Sequence, residues 1–194
     1  MRITTATSLL EEELKDIYDL KDIYDFEERL VRAIPKMAKA ATSDDLKSGL
    51  MEHLEVTRNQ VERIEQIFEL LDVPAKAKAC DGMKGILTEG DEMLGEVEGS
   101  LRDVAIAVAA RRVEHYEMAA YAGARAIAEQ LGNRDIADLL QENWDEEREA
   151  DEKLGQLARQ MLQMRGVDDE RTPVAAGKAQ RRGSKAPKTR RVGG

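Results

Sequence analysis

The chain has 194 residues, a formal net charge of −9, 36% charged residues and only 4% aromatic residues, a composition typical of an all-helical protein with one core. Its single cysteine, Cys80, excludes an intrachain disulfide framework and fits a reducing compartment. No apolar run is long enough to cross a bilayer and Met1–Leu14 lacks the apolar core of a signal peptide, so we expect a cytoplasmic protein that does not enter the membrane.

The first helix is predicted from about Ser8 to Ala41. It contains a hexapeptide duplication, Leu14–Asp19 followed by Leu20–Asp25. Six residues are not a whole number of helical turns, so the copies face different directions and only one can be in register with the core. The second copy continues an apolar row in which a carboxylate, Glu27, occupies a core position. Pro35 lies inside this pattern and is expected to kink the helix or to disrupt one turn.

The second helix is predicted from a capping cluster at residues 42–45 to about Leu71. Its apolar row has polar interruptions at His53 and Thr57. The pattern then weakens, and residues 80–97 support only a shorter helix. We interpret this segment as a crossover that spans the length of a helical bundle.

The third helix is predicted from Leu101 to Leu131, and its apolar row is interrupted at Glu117. After a glycine-containing turn, the fourth helix is predicted from about Asp135 to Met164. Its row carries Glu147 and Asp151 one turn apart on the same face. A buried charge without a partner is costly, so such carboxylates should be paired, protonated or bound to a metal.

The end of the chain differs in charge from the rest. Residues 171–194 contain eight Lys or Arg and no acid, so the body of the chain is strongly acidic and the tail is basic. The tail has too little apolar content to offset the entropy of ordering. We therefore predict a helical bundle over residues 1–165 and a disordered basic tail over residues 166–194.

Two short-looped helix pairs joined by a long crossover define a ferritin-like four-helix bundle. The two halves match in spacing, which places five polar side chains in one layer: Glu27, His53, Glu117, Glu147 and Asp151. Four carboxylates in one layer would repel one another and raise their pKa values. Two divalent metal ions bridged by carboxylates, with an imidazole in the shell, would resolve this repulsion. Iron and manganese both fit such a shell.

Neighbouring residues complete this interpretation. Glu114 lies one turn from Glu117 on the flank of the row, as an additional ligand or a hydrogen-bond acceptor beside the ligands. Tyr24 occupies the matching flank of the first helix and is a candidate hydrogen-bond donor to a ligand. His115 points away from the row and is interpreted as a structural or surface residue. Taken singly, each residue has a simpler explanation, such as a partly exposed glutamate or a hydrogen-bonded core histidine.

Several short motifs resemble the YciF-like family of bacterial ferritin-like proteins over about residues 8–164. They are Ile23–Glu27, Ala33–Ala40, His53–Glu55, Gln60–Ile64, Val113–Glu117, Ala128–Gly132, Asp145–Glu147 and Asp151–Leu154. The resemblance implies a ferritin-like bundle, a homodimer, a dinuclear metal site and a link to stress, and it implies no established reaction.

The chain departs from the family pattern in three places. The hexapeptide duplication adds residues before Glu27, Val56 stands where Glu is common, and Arg58 stands where Glu or His is common. If relatives use either of the last two positions as a ligand, the second helix of this chain contributes less to the site.

Three functions remain open from the sequence. The first is a di-metal oxidoreductase that handles peroxide or metal, with Glu27, His53, Glu117, Glu147 and Asp151 as ligands. The second is a non-enzymatic stress protein that acts through protein partners, or weakly through nucleic acid bound by the basic tail. The third, iron storage, has no support from a single chain, because nothing in the sequence indicates a cage.

Overall fold

The computed structural model describes residues 18–99 and 101–169, and within these ranges it contains five helices and no strand. The helices are α1 (Tyr18–Ala40), α2 (Asp44–Leu70), α3 (Asp81–Glu96), α4 (Leu101–Gln130) and α5 (Arg134–Asp169). This order confirms the predicted all-α bundle with a helix in the crossover. Ser8 to Ile17 of the predicted first helix and the tail from residue 170 lie outside the described ranges.

The helices form two pairs. α1 packs on α2, α4 packs on α5, and contacts of α2 with α5 and of α1 with α4 close the bundle. The short loops at 41–43 and 131–133 turn the chain back on itself, so each pair is antiparallel. α3 lies against α4 on the outside of the bundle. None of the described helices combines the length and the apolarity that a bilayer span needs.

A buried carboxylate holds the first loop. Asp103, in the first turn of α4, accepts hydrogen bonds from the Thr42 amide at 2.7 Å and the Ser43 amide at 2.9 Å, and also from the Thr42 hydroxyl. Ser43 in turn caps α2 by accepting from the Leu46 amide. The loop between the first two helices is therefore fixed to the start of the second pair.

The second loop ends α4 with a glycine. Gly132 has φ 78°, a left-handed conformation that costs little only for glycine. It allows the amide of Asn133 to bond to the Ala128 carbonyl, which satisfies an end carbonyl of α4.

The buried face of α1 is wider than the predicted row. Ile23, Phe26 and Leu30 are buried together with Glu27, whereas Tyr24 is only partly buried. A helix that contacts neighbours on two sides buries more than one row of side chains, which explains the difference. α1 continues through Pro35 to Ala40.

The far end of α5 also differs from the prediction, since this helix continues to Asp169 rather than ending near Met164. Leu162 and Met164 are exposed there. Residues 162–164 of α5 are therefore not packed in the core of the bundle.

The crossover is attached at Cys80. Its buried thiol caps α3 by accepting from the Met83 amide and lies 3.2 Å from the Tyr116 hydroxyl on α4. The Cys80 amide donates to Asp25 on α1 at 2.9 Å. Gly82 packs directly against the Tyr116 ring, where a larger residue would collide. These contacts fix the start of α3 to both helix pairs.

Candidate metal centre

Four side chains with metal-binding atoms converge in the middle of the bundle: His53 from α2, Glu114 and Glu117 from α4, and Glu147 from α5. One donor atom of each lies within 4.8 Å of the corresponding atoms of the others. Glu114 and Glu117 can both join the group because residues three apart on a helix share a face. The Glu114 position, predicted on the flank of the row, is buried in the centre.

The imidazole of His53 lies between two carboxylates. Its Nε2 is 3.5 Å from Oε2 of Glu114 and 3.6 Å from Oε2 of Glu147. The glutamates themselves are almost completely enclosed, at 2% exposure for Glu114, 1% for Glu117 and 0% for Glu147.

Glu27 extends this group from α1. It is fully buried, and the negative charge of its carboxylate contributes, together with burial, to raising the pKa of Glu117. Its Oε1 also accepts a hydrogen bond from the hydroxyl of Tyr121, another buried side chain on α4. The structure thus brings together five of the six residues that were singled out from the sequence.

Two polar residues of this layer were not predicted as part of it. Tyr121 bonds to Glu27, and the Gln60 side-chain amide donates to Oε1 of Glu147. The spacing could have indicated both residues, because positions four or seven apart lie on the same face of a helix. Tyr121 follows Glu117 by four residues, and Gln60 follows His53 by seven. Thr57, the second polar interruption in the row of α2, is satisfied locally, since its hydroxyl donates to the His53 carbonyl at 3.0 Å.

Burial dominates the electrostatics of the centre. It raises the pKa of Glu27, Glu114 and Glu117 well above the usual value, and the negative charge of Glu147 raises each further. Burial likewise raises the pKa of Tyr121, so its phenol keeps its proton and can donate to Glu27. Without a cation, the carboxyl groups of Glu27, Glu114 and Glu117 therefore favour the protonated form.

The chemistry of the donor set fits a pair of divalent metal ions. One oxygen on each of the four glutamates, Oε2, is buried and has no hydrogen-bond partner. Four ionised carboxylates would carry a charge that two divalent cations neutralise. Carboxylate oxygens with one imidazole suit iron and manganese better than softer, thiolate-preferring ions.

Asp151, the sixth residue of the predicted set, lies outside this group. Its carboxylate binds the Arg111 guanidinium through two contacts, Oδ1 to Nε at 2.6 Å and Oδ2 to Nη2 at 3.1 Å. It is also 3.3 Å from Nδ1 of His115. Helical spacing placed Asp151 on the same face as Glu147, but an arginine on the neighbouring helix engages it.

His115 is exposed and bonds to the Arg111 carbonyl, which confirms that it is a surface residue. The prediction that Tyr24 donates to a ligand is wrong, because its hydroxyl donates to Glu65 at 2.8 Å on the outside of the α1–α2 pair. In the layer, the donor to Glu27 is Tyr121.

The two unusual residues of α2 differ in their surroundings. Arg58 is exposed and pairs with Glu55, so it faces away from the centre. Val56 is partly buried and lines a cleft that also contains His53 and Glu114. Only Val56 therefore changes the immediate environment of the candidate ligands.

A larger groove lies elsewhere, between α1, α3 and α4, with a volume of about 570 Å³. The basic side chains that line it are Arg29, Arg32, Lys36, Lys84 and Arg102, against a single acid, Asp91. It includes none of the residues of the candidate metal centre.

Helix order, crossover and inward carboxylates together define a ferritin-like four-helix bundle. The chain belongs to the family described as a domain of unknown function, DUF892, whose model matches residues 5–166. Protein YciF of Escherichia coli K12 is 40% identical over 160 residues, which cover 81% of this chain and 93% of YciF.

Solved structures agree with this assignment. The crystal structure of the E. coli stress protein YciF matches with a TM-score of 0.73 at 36% identity, over 83% of this chain and 99% of the other. YcfI of Rhodopseudomonas palustris matches with a TM-score of 0.72 at 40% identity, over 79% and 94%. A Xanthomonas campestris protein at 18% identity and TM-score 0.63, over 84% of this chain and 99% of the other, shares the fold.

Proposed function

We propose that this chain is a stress-associated ferritin-like protein that binds two divalent metal ions, iron or manganese, in the central layer. The observation that carries the proposal is the set of four buried carboxylate oxygens without hydrogen-bond partners, on Glu27, Glu114, Glu117 and Glu147. A protein interior rarely leaves such groups unpaired, because their desolvation is costly.

Five residues would hold the ions: Glu27, His53, Glu114, Glu117 and Glu147. Bound iron or manganese would supply one-electron chemistry toward dioxygen or peroxide. Beside the layer, the buried ring of Phe26 lies edge-to-face against that of Tyr121 and helps to exclude bulk water. Tyr121 holds a proton at Oε1 of Glu27, and Gln60 orients Glu147. These contacts support a role in oxidoreduction or in peroxide or metal handling.

Metal analysis tests the proposal directly. Purified protein, reconstituted anaerobically with Fe²⁺ or with Mn²⁺ and then desalted, is expected to retain about two ions per chain. The variant Glu117→Gln keeps the shape of the side chain but removes its charge, and should retain fewer. The exposed Glu55→Gln variant is the matched control. Wild-type protein that retains no metal after reconstitution would exclude the site.

A second candidate function is non-enzymatic action through partners. The basic groove between α1 and α3 favours it, because five basic residues face one acid in a chain of net negative charge. One relative, YcfI, has been described as a candidate structural protein. The basic segment 171–194 adds a weak nucleic-acid contact to this alternative, which low-salt gel shifts with and without residues 171–194 would test.

We also propose a cytoplasmic homodimer. The dimer follows from the family resemblance, and the buried free thiol of Cys80 is compatible with a reducing compartment. Light scattering coupled to size exclusion would measure the mass, and a monomer at micromolar concentration would contradict the dimer.

A further inference from the structure

A cleft of about 110 Å³ between α2 and α5 ends at the candidate metal centre. All of its lining residues come from these two helices except one, Glu114 of α4. The lining changes with depth: Glu52, Glu149 and Lys153 are exposed, whereas Leu154 and Glu114 are buried. The cleft therefore runs from the surface to a candidate ligand.

His53 is the ligand that meets solvent. Its side chain is 13% exposed, compared with 3% for Glu114 and 0% for Glu147. Glu27 and Tyr121 on the opposite side are fully buried. Among the described residues, an ion that approaches through this cleft reaches the imidazole before it reaches the other ligands.

Small residues keep the cleft open beside His53. Gly49 precedes it by four residues and Val56 follows it by three, so both share its face of α2. A Cβ atom at Gly49 would have no neighbour within 4 Å. Ala150 on α5 also lines the cleft. The width of the cleft beside His53 therefore depends on the size of the residue at position 49.

Charge at the mouth favours cations. Glu52 and Glu149 are exposed there, and Lys153 is the only base in the lining. A third acid, Glu146, is bound by the Arg63 guanidinium at 2.6 Å and contributes less. A cleft with net negative charge and low-dielectric walls raises the local cation concentration.

We propose that this cleft is the route by which divalent cations enter the centre, with Glu52 and Glu149 attracting the ion and His53 as its first ligand. The proposal rests on the proposed metal-binding function. It distinguishes the residues that would bind the ions from those that line their path to the site. Gly49 and Val56 belong to the second group, because their size determines how wide the cleft is.

The test measures the rate of metal uptake separately from its stoichiometry. Metal-free protein is mixed with Mn²⁺, and binding is followed by loss of the electron paramagnetic resonance signal of hydrated Mn²⁺. Gly49→Leu should fill the cleft and slow uptake by about tenfold or more, within the range that single interface changes produce. Leucine is a better helix former than glycine, so the final stoichiometry and the fold should be retained. Gly85→Leu, at an open position of α3, is the matched control and should not slow uptake.

Two further variants keep the inference testable if Gly49→Leu folds poorly. Val56→Phe obstructs the same space and should also slow uptake, whereas Lys153→Glu should accelerate uptake at low salt by increasing the negative charge at the mouth. Full stoichiometry with unchanged rates in Gly49→Leu and Val56→Phe would overturn the entry route and leave the metal site intact. Wild-type protein that binds no Mn²⁺ and no Fe²⁺ would overturn both proposals.

Discussion

The hydroxyl of Tyr121 on α4 donates a hydrogen bond to Oε1 of Glu27 on α1, and neither side chain has any exposed surface. This bond connects the two helix pairs at the level of the candidate metal centre. The Tyr121 hydroxyl is one of the few hydrogen-bond donors available to the four enclosed glutamates. Its removal should therefore lower the stability of the metal-free protein.

Tyr121→Phe removes that donor and leaves an acceptor unsatisfied in the interior. We expect a loss of about 1–3 kcal/mol in the free energy of unfolding of the metal-free protein, measured by urea denaturation. Tyr24→Phe is the matched control, because it also removes a tyrosine hydroxyl, but one that bonds to Glu65 near the surface. The control should change stability by about 0.5 kcal/mol or less. Equal losses of stability in the two variants would contradict a larger contribution from the buried Tyr121 hydrogen bond.

The raised pKa values of Glu27, Glu114 and Glu117 give the metal-free protein an unusual pH dependence. Between the ordinary glutamate pKa and the raised values, the folded state binds more protons than the unfolded state. The contribution of these three groups to stability is therefore fully present below the ordinary glutamate pKa and is lost as the pH rises toward the raised values, by up to about 1.4 kcal/mol per pH unit for each group that remains protonated only in the folded state. Urea titrations with a chelator at pH 5 and pH 8 should show the lower stability at pH 8.

Added metal should reverse this trend, because ligands must be deprotonated to bind and metal affinity increases with pH. Glu117→Gln removes one of the titrating groups and should flatten the metal-free profile. A metal-free protein that becomes more stable from pH 5 to pH 8 would contradict the raised pKa values of the buried glutamates.

Asp151 and Glu117 were both predicted as ligands, and the structure places them differently. Asp151→Asn should keep the metal stoichiometry of the wild type, because this carboxylate is already bound to Arg111. Glu117→Gln should lower the stoichiometry measured by elemental analysis. If Asp151→Asn loses metal as Glu117→Gln does, the Arg111 contact must open when the ions bind.

Two glycines of α3 should respond in opposite directions to the same substitution. A Cβ at Gly82 would lie 2.9 Å from Cζ of Tyr116, so Gly82→Ala should destabilise by about 1–3 kcal/mol through overpacking. Gly85 has open space, so Gly85→Ala should stabilise by about 0.5–1 kcal/mol through helix propensity. Thermal and urea unfolding of both variants would measure the difference, and stabilisation by both would show that Tyr116 moves aside readily.

The sequence predicted the helices well because each carries a long apolar period with recognisable ends, as at the Ser43 cap and the Gly132 turn. It also predicted that Glu27, His53, Glu117 and Glu147 face the inside of the bundle, since each interrupts an apolar row and the rows must face one another. The spacing of residues within one helix is sufficient to predict that such side chains face the core.

Contacts between helices could not be predicted in the same way. Asp151 has the spacing of a ligand, but Arg111 on another helix engages it. Tyr24 and Tyr121 are both tyrosines beside an inward glutamate, and only the packing of the rings decides that Tyr121 faces Glu27 while Tyr24 lies against Phe68. Which partner a polar side chain finds depends on relative helix positions, which a single-helix pattern does not contain.

The carboxylates of the candidate metal centre are distributed unequally between the two helix pairs. The α1–α2 pair supplies one carboxylate, from Glu27, together with the imidazole of His53, whereas the α4–α5 pair supplies the carboxylates of Glu114, Glu117 and Glu147. In the metal-free protein, three of the four unpaired buried glutamate oxygens, on Glu114, Glu117 and Glu147, lie in the α4–α5 pair. Backbone amides near Glu117 and Glu147 of the metal-free protein should then exchange with deuterium faster than those near His53, through local opening of one hairpin while the other remains protected, and added metal should slow that exchange.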